Sequence, residues 1–228
     1  MRSQGTKVKI CGIKEEATLQ GMSGLPVDYI GFVFAKSKRQ ISLEGARKLH
    51  DYAKSIMMAE GKPPRTVGVF VNPTLEYLAE VLSEVKLDVV QLHGEETPEF
   101  CQEVQEQFKV EVWRALPVTD DDNCEGAAAG TCADRLAAYR NAVSVILLDT
   151  AGGGTGKAFR WEVIPSYQAA ASQNGLQLFI AGGLSPDNAN DLVTTYHPQG
   201  VDISSGVESD GVKDIGKITA FAERVRSS

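Results

Sequence analysis

Two side chains that can exchange protons each end a short apolar run of the sequence. Cys11 closes V-K-I, and Asp149 closes V-S-V-I-L-L. A thiol and a carboxyl group can act as general base and general acid on a small substrate. Each also has an ordinary structural interpretation. A buried cysteine packs as a small hydrophobe, and an aspartate after a strand caps the next helix or pairs with a lysine.

Two cations lie near these candidates in the chain. Lys9 precedes Cys11 by two residues, so in a strand both side chains lie on one face. A cation beside the thiol favours the thiolate, which predicts a lowered thiol pKa. Arg39 is either a solvated loop charge or a guanidinium that grips a carboxylate. His93 shares its inward strand face with Gln91, so either can line a pocket, although a structural histidine is the favoured interpretation.

Glycine and serine turns follow the last two apolar runs. A-G-G-L-S-P contains Gly182 and Gly183, and D-I-S-S-G-V-E contains Ser204, Ser205 and Gly206. Glycine lets backbone N–H groups approach an anion, and a short helix that begins at the second turn adds partial positive charge. Either turn alone is better explained as an ordinary tight turn, but two on consecutive strands predict a phosphate site.

A third glycine cluster, G-G-G-T-G, contains Gly154 and follows the sixth apolar run. It is interpreted either as a flexible lid or as a further phosphate contact. The polar stretch at 119–134 is interpreted as a mobile surface loop.

Eight short apolar runs recur along the chain, and helix-like segments lie between them. Runs of 4–8 residues rich in Val, Ile and Leu are typical of strands buried on both faces. Eight units in this chain average about 28 residues each, which leaves no room for a second domain. We therefore predict one α/β domain over residues 1–228, a single closed (β/α)8 TIM barrel rather than an open doubly wound sheet. The strands are predicted at Lys7–Cys11, Tyr29–Phe34, Thr66–Val71, Val89–Leu92, Val110–Leu116, Val143–Leu148, Leu176–Ala181 and Val201–Ser204.

Helix starts carry capping signals that support these boundaries. Ser42, Thr97-Pro98 and Ser185-Pro186 each precede a helical pattern, as does Asn72-Pro73. Side-chain oxygens at such positions satisfy the free N–H groups of the first turn. Barrel enzymes build their sites at the carboxyl ends of the strands, and the candidate residues above follow the predicted strands.

Composition excludes several classes of protein. With 23 Lys and Arg against 30 Asp and Glu, the formal net charge is −7, which excludes a general nucleic-acid or anionic-membrane binder. Four cysteines and three histidines without ligand spacing predict neither a disulfide framework nor a metal site. The start lacks a secretory signal, and no run is long enough to span a membrane. We expect a cytoplasmic protein with a small-molecule partner.

The motifs, taken in order, resemble one family. They are K-I-C-G-I (9–13), G-F-V-F with S-K-R-Q-I (31–41), V-G-V-F (67–70), Q-L-H-G (91–94), L-L-D-T (147–150), G-G-T-G-K-A-F-R-W (153–161), A-G-G-L-S-P-D-N (181–188) and V-D-I-S-S-G-V-E (201–208). Together they resemble phosphoribosylanthranilate isomerases of tryptophan biosynthesis. The ending E-S-D-G-V-K-D-I-G-K-I resembles eukaryotic, particularly fungal, members.

The resemblance implies an Amadori rearrangement of N-(5-phosphoribosyl)anthranilate to 1-(o-carboxyphenylamino)-1-deoxyribulose 5-phosphate, without metal or cofactor. Asp149 matches the general acid that protonates the furanose ring oxygen. Cys11 matches the general base that removes the C2′ proton, and Arg39 matches the residue near the anthranilate carboxylate. The phosphate anchor is matched by Gly182, Gly183, Ser204, Ser205 and Gly206, with Gly154 as an extra contact.

Relatives in several lineages are fused to indole-glycerol-phosphate synthase. The resemblance therefore implies a free enzyme or an excised domain, expected to be a monomer. The rivals are another phosphate-binding barrel, such as that synthase or ribulose-phosphate epimerase, and a catalytically inactive binding barrel. The presence of Cys11 and Asp149 argues against an inactive barrel. Since the chain is acidic, capture of an anion must depend on Arg39, Lys9 and the backbone N–H groups around Gly183 and Gly206.

Overall fold

Eight parallel strands close into a barrel in sequence order, β1 pairing with both β2 and β8. The structure, a computed structural model, describes residues 5–118, 134–150 and 159–228. The strands of the barrel are β1 (Lys7–Cys11), β2 (Tyr29–Val33), β3 (Arg65–Phe70), β4 (Val89–Leu92), β5 (Glu111–Val118), β6 (Val145–Thr150), β7 (Gln177–Ile180) and β8 (Gly200–Ile203). The predicted (β/α)8 barrel is confirmed, and every strand boundary lies within two residues of its predicted position.

Helices follow the strands on the outside of the barrel. They are α1 (Glu16–Gly21), α2 (Leu43–Ser55), α3 (Leu75–Glu84), α4 (Pro98–Phe108), α5 (Ile164–Gln173), α6 (Pro186–Tyr196) and α7 (Ile215–Arg226), with 3-10 turns at Trp161–Val163 and Ser205–Val207 and a helical turn at 134–137. A two-stranded ribbon, β9 (Glu208–Ser209) and β10 (Val212–Lys213), follows β8. Most of the predicted loop at 119–134, and Gly154, lie outside the described residues.

The predicted capping residues begin their helices. Ser42 Oγ accepts a hydrogen bond from the Gly45 N–H at 3.2 Å, and Thr97 Oγ1 accepts one from the Phe100 N–H at 3.3 Å. The third helix differs slightly from the prediction, because Thr74 rather than Asn72-Pro73 caps it. These caps satisfy N–H groups that have no partner within the helix, and so they fix where each strand-to-helix loop ends.

The barrel interior is packed with side chains rather than open. Tyr29, Trp113 and Phe179 form a cluster with ring centroids 4.9–5.9 Å apart, mostly edge to face. Because these rings fill the interior, a ligand can enter only at the strand ends. Within the described ranges, no helix is both long enough and apolar enough to cross a membrane.

Candidate active site

A cavity of about 180 Å³ opens at the carboxyl ends of the barrel strands. Seven of the residues predicted from the sequence line it together, although they come from five different strands or the loops that follow them. They are Cys11, Arg39, Asp149, Gly182, Gly183, Ser204 and Ser205. Gly206 lies next to this lining, and Gly154 lies outside the part of the chain that the structure describes. Parallel strands bring their carboxyl ends to one edge, which explains why residues far apart in sequence meet here.

The Asp149 carboxylate is held on both of its oxygens. The Thr150 N–H donates to Oδ1 at 2.7 Å, and His93 Nε2 lies 3.2 Å from Oδ2. Gln91 Nε2 lies 3.0 Å from His93 Nδ1, so the amide donates to that nitrogen and leaves the ring proton on Nε2, facing Asp149. Of the two interpretations of His93, the structure agrees with the one that places it in the pocket: it lines the cavity, as Gln91 does, and it contacts the candidate acid.

Arg114, in the middle of β5, has a structural role beneath the site. It is buried, and its guanidinium donates to the carbonyl oxygens of Gly94 at 2.7 Å and Glu96 at 3.2 Å. These bonds hold the loop that follows β4, which begins with His93. Arg114 thus supports the cavity wall without reaching the cavity.

Cys11 lies against a buried ion pair. Lys9 and Cys11 share one face of β1, as predicted, and Lys9 Nζ lies 2.8 Å from Asp202 Oδ2. Burial raises the pKa of the Cys11 thiol, and the nearby cations Lys9 and Lys213 oppose this without overcoming it. The predicted thiolate is therefore not the favoured form, because desolvation outweighs the attraction.

Lys9 is unavailable for capturing an anion, contrary to the expectation from sequence. Its side chain is fully buried and is bound to Asp202. Burial acts to lower its pKa, but the negative charge of Asp202 and the contact with Cys11 leave the pKa raised. Lys9 therefore carries its charge inside the barrel, where Asp202 neutralises it.

Arg39 is held by a carboxylate of the chain itself. Its Nε donates to Glu208 Oε1 at 2.6 Å and its Nη2 to Glu208 Oε2 at 3.0 Å. Hydrogen bonding to Glu208 raises the pKa of Arg39. The alternative of a solvated loop charge is thus wrong, and the guanidinium makes a two-pronged contact with a carboxylate, that of Glu208.

The two glycine turns pack against their surroundings too closely for side chains. Gly182 has φ +77°, and a Cβ there would overlap Thr150 Oγ1 and lie 2.8 Å from Asp149 Oδ1. A Cβ on Gly206 would overlap the carbonyl oxygen of Leu184. Glycine at these positions lets the turns after β7 and β8 touch each other and leaves room for the candidate acid.

Gly206→Ala is expected to lower the free energy of unfolding by about 1–3 kcal/mol, because the new methyl group must push the two turns apart. The same movement should weaken phosphate binding. Chemical denaturation measures the first effect. Gly5→Ala is the matched control, since a Cβ there meets its nearest atom at 3.7 Å. Equal stability of the two variants would contradict the close packing of the turns.

Two residues beside the cavity, Glu208 and Lys213, were not predicted from the sequence, and the position of His93 in the cavity was the less favoured of its two interpretations. Glu208 ends the motif V-D-I-S-S-G-V-E, and Lys213 follows it closely.

Across the described residues, no group of three or more His, Cys, Asp or Glu side chains is arranged to hold a metal ion.

A closed barrel with a carboxyl group, a thiol and two glycine turns around one cavity defines the class of phosphate-binding (β/α)8-barrel enzymes. Within that class, residues 8–224 match the family described as N-(5'phosphoribosyl)anthranilate (PRA) isomerase. The chain belongs to this family.

Individual relatives agree with this assignment. An N-(5'-phosphoribosyl)anthranilate isomerase of Brevibacillus brevis is 47% identical over 226 residues, covering 97% of this chain and 94% of the relative. A monomeric form of the dimeric phosphoribosylanthranilate isomerase of Thermotoga maritima has a TM-score of 0.76 at 34% identity, covering 98% of this chain and all of the other. A further isomerase, solved with reduced 1-(o-carboxyphenylamino)-1-deoxyribulose 5-phosphate, has a TM-score of 0.74 at 33% identity, with the same coverage.

Proposed function

We propose that this site isomerises N-(5-phosphoribosyl)anthranilate to 1-(o-carboxyphenylamino)-1-deoxyribulose 5-phosphate, a step of tryptophan biosynthesis. The observation that carries the proposal is the placement of Cys11 and Asp149 on one cavity, from the non-adjacent strands β1 and β6. A proton donor and a proton acceptor on different sides of a small cavity suit a reaction that adds one proton to a sugar and removes another.

The first step is ring opening. Asp149, in its protonated form, donates its proton to the furanose ring oxygen, and the C1′–O bond breaks as the nitrogen lone pair forms a Schiff base. His93 holds Asp149 Oδ2, and the Thr150 N–H holds Oδ1, so the carboxyl group meets the ring oxygen in one fixed orientation.

The second step moves a proton from carbon. Cys11, as the thiolate, removes the C2′ proton, and the electron pair neutralises the iminium ion to give an enolamine. Tautomerisation of the enolamine yields the ketone. The atoms balance without a co-reactant, since the product is an isomer of the substrate. Lys9 and Lys213 partly offset the effect of burial on the pKa of the thiol, so the minor thiolate form costs less to reach than burial alone would allow.

The phosphate, the aromatic ring and the ring carboxylate of the substrate are each assigned to a different part of the cavity. The phosphate is placed at the turns of Gly182-Gly183 and Ser204-Ser205. Among the described residues, no carbonyl accepts a hydrogen bond from the Gly183 or Ser205 N–H, so both can donate to an anion. The complex of the structural relative with the reduced product supports a ligand of this kind.

The anthranilate end is placed at an apolar wall beside Arg39. Cys11, Val33 and Val69 form a small hydrophobic cluster that lines the cavity, as Arg39 does. An aromatic ring packs on such a wall, and its ortho carboxylate then reaches the guanidinium.

Arg39→Ala is expected to raise KM by about tenfold or more while kcat falls less, because a hydrogen bond to a charged group contributes about 1.5–3 kcal/mol to binding. Steady-state kinetics over a range of substrate concentrations measure both constants. Lys48→Ala is the control, since Lys48 is exposed on α2 and pairs only with Glu44 among the described residues. An unchanged KM in the Arg39 variant would rule out its carboxylate role.

The experiment that tests the function follows the fluorescence of the anthranilate moiety. The substrate is generated in solution from anthranilate and a phosphoribosyl donor by a coupled enzyme, and its decay is recorded with and without the purified chain. A first-order decay proportional to protein concentration supports isomerisation. Decay no faster than the uncatalysed reaction would exclude it and favour a catalytically inactive barrel.

We also propose that the chain is a single-domain, monomeric, cytoplasmic enzyme, either free or linked to indole-glycerol-phosphate synthase. Light scattering coupled to gel filtration tests the monomer; the relative from Thermotoga maritima is described as dimeric. The resemblance to fungal members gains no support from these comparisons, since Brevibacillus brevis and Thermotoga maritima are bacteria.

A further inference from the structure

Three charged side chains, from the loop after β2 and the ribbon after β8, form a cluster behind one wall of the cavity. Arg39 follows β2, Glu208 lies in β9, and Lys213 lies in β10. Glu208 accepts two hydrogen bonds from Arg39 and one from Lys213 Nζ, the last at 2.9 Å. Arg39 lines the cavity, whereas the lining given by the described residues includes neither Glu208 nor Lys213. Glu208 therefore reaches a ligand only through Arg39.

The cluster leaves one edge of the guanidinium free for a ligand. Arginine has five N–H donors, and Glu208 uses the one on Nε and one of the two on Nη2. The remaining donors, on Nη1 and Nη2, can still bind a carboxylate in two-pronged fashion. The three side chains carry a net charge of one positive unit, so the cluster still attracts an anion.

The Glu208 carboxylate is also connected, through Lys213, to the phosphate turn at Ser204-Ser205. Lys213 Nζ donates to the Ser204 carbonyl oxygen at 2.8 Å, and Ser204 Oγ donates to the Cys11 carbonyl oxygen at 3.0 Å. Glu208 and Lys213 are both almost fully buried. Hydrogen bonds from Arg39 and Lys213 outweigh the effect of burial and lower the pKa of Glu208 to about 2, so that it stays ionised at any pH at which the enzyme works.

We propose that Glu208 is a positioning residue for the substrate carboxylate: it fixes Arg39 with its free edge toward the cavity. The inference rests on the proposed function. An arginine side chain held in place before binding loses less conformational entropy when the ligand arrives, which strengthens binding without changing the chemical step.

Glu208→Gln distinguishes two roles of Glu208, positioning Arg39 and competing with the substrate for Arg39. The two roles predict opposite changes in KM. The amide has nearly the same size but removes the negative charge, so the net charge of the cluster rises to two positive units. If Glu208 positions Arg39, KM should rise by about 5–20-fold with kcat changed by less than about threefold. If Glu208 instead competes with the substrate for Arg39, KM should fall, and the proposal is overturned. Glu103→Gln, on the exposed face of α4, is the matched control.

A double-mutant cycle tests whether Glu208 acts through Arg39. In an Arg39→Ala background, Glu208→Gln should change KM by less than about twofold, because the group it positions is gone. A full additional loss in the double variant would show an effect by another route and overturn the proposal. Thermal unfolding monitored by circular dichroism confirms that each variant is folded.

Calorimetric binding distinguishes failure of this inference from failure of the proposed function. The ligands are the reduced product named for the structural relative and an analogue that lacks its ring carboxylate. Glu208→Gln should weaken the first ligand about 5–20-fold and leave the second unchanged. Equal affinity of wild type and variant for the first ligand would overturn the positioning role. Wild type that binds neither ligand would count against the proposed function itself.

Discussion

Asp149→Asn is expected to lower kcat at least about 10²-fold, the effect of removing a positioned general acid. The amide keeps the shape of the carboxyl group, and its oxygen can still accept the Thr150 N–H that now binds Oδ1. It has no acidic proton for the ring oxygen, so ring opening slows while binding remains. KM should therefore change by only a few-fold, and single-turnover decay of substrate fluorescence at saturation measures the loss.

Asp51→Asn is the matched control for this variant. Asp51 is exposed on α2, outside the cavity lining, and its variant should retain the wild-type rate. His93→Gln adds a second readout, because it removes the group that holds Asp149 Oδ2 and leaves the acid itself in place. Asp149→Asn with a rate within twofold of wild type would remove this residue from the mechanism.

Cys11→Ser is expected to cause a loss of similar size, again at least about 10²-fold in kcat. The hydroxyl group fits where the thiol lies, but its pKa is far above that of a thiol, so it does not become an anion near neutral pH. The variant should bind the reduced product as wild type does, because the change is one atom in a buried position. Cys101→Ala, in α4, is the control for altering a cysteine away from the cavity.

The pH dependence of the wild type follows from the same residue. Burial raises the pKa of the Cys11 thiol, so the thiolate is the minor form near neutral pH and its population grows as the pH rises. A base must be deprotonated to act, so over the range in which Asp149 keeps the proton it donates, kcat/KM should increase with pH above neutrality until Cys11 is ionised.

Cys11→Asp tests this assignment of the rising limb. A carboxylate is ionised at lower pH than a thiol, so the rising limb of kcat/KM should move toward acid in this variant. A limb that stays at the wild-type position would show that another group controls it. Thermal unfolding at each pH separates loss of the fold from titration of the base.

The net charge of the chain shows that positive potential is needed at the site, but not which side chains supply it. A net charge of −7 requires a local source of positive potential for an anionic substrate. Sequence analysis selected Arg39 and Lys9, and only Arg39 lines the cavity. Lys9 is neutralised by Asp202, while Lys213, which was not selected, lies behind the phosphate turn.

The sequence by itself determined the barrel and the positions of Cys11, Asp149 and the glycine turns. Strands buried on both faces are continuous apolar runs, and caps mark the helices between them, so the number and order of βα units can be counted. Eight parallel strands in order then place every strand end at one edge. The sequence therefore shows at which edge of the barrel such a residue lies, even when the side chains around it in the fold are unknown.

Only the tertiary structure decided which side chains meet. Arg39 and Glu208 are 169 residues apart, and the contact of His93 with Asp149 joins the loop after β4 to the end of β6. Such pairings depend on loop conformation and side-chain direction, which have no period in the sequence. The protonation of Cys11 was also beyond sequence reasoning, because desolvation depends on how completely the folded barrel excludes water and outweighs the nearby positive charge of Lys9.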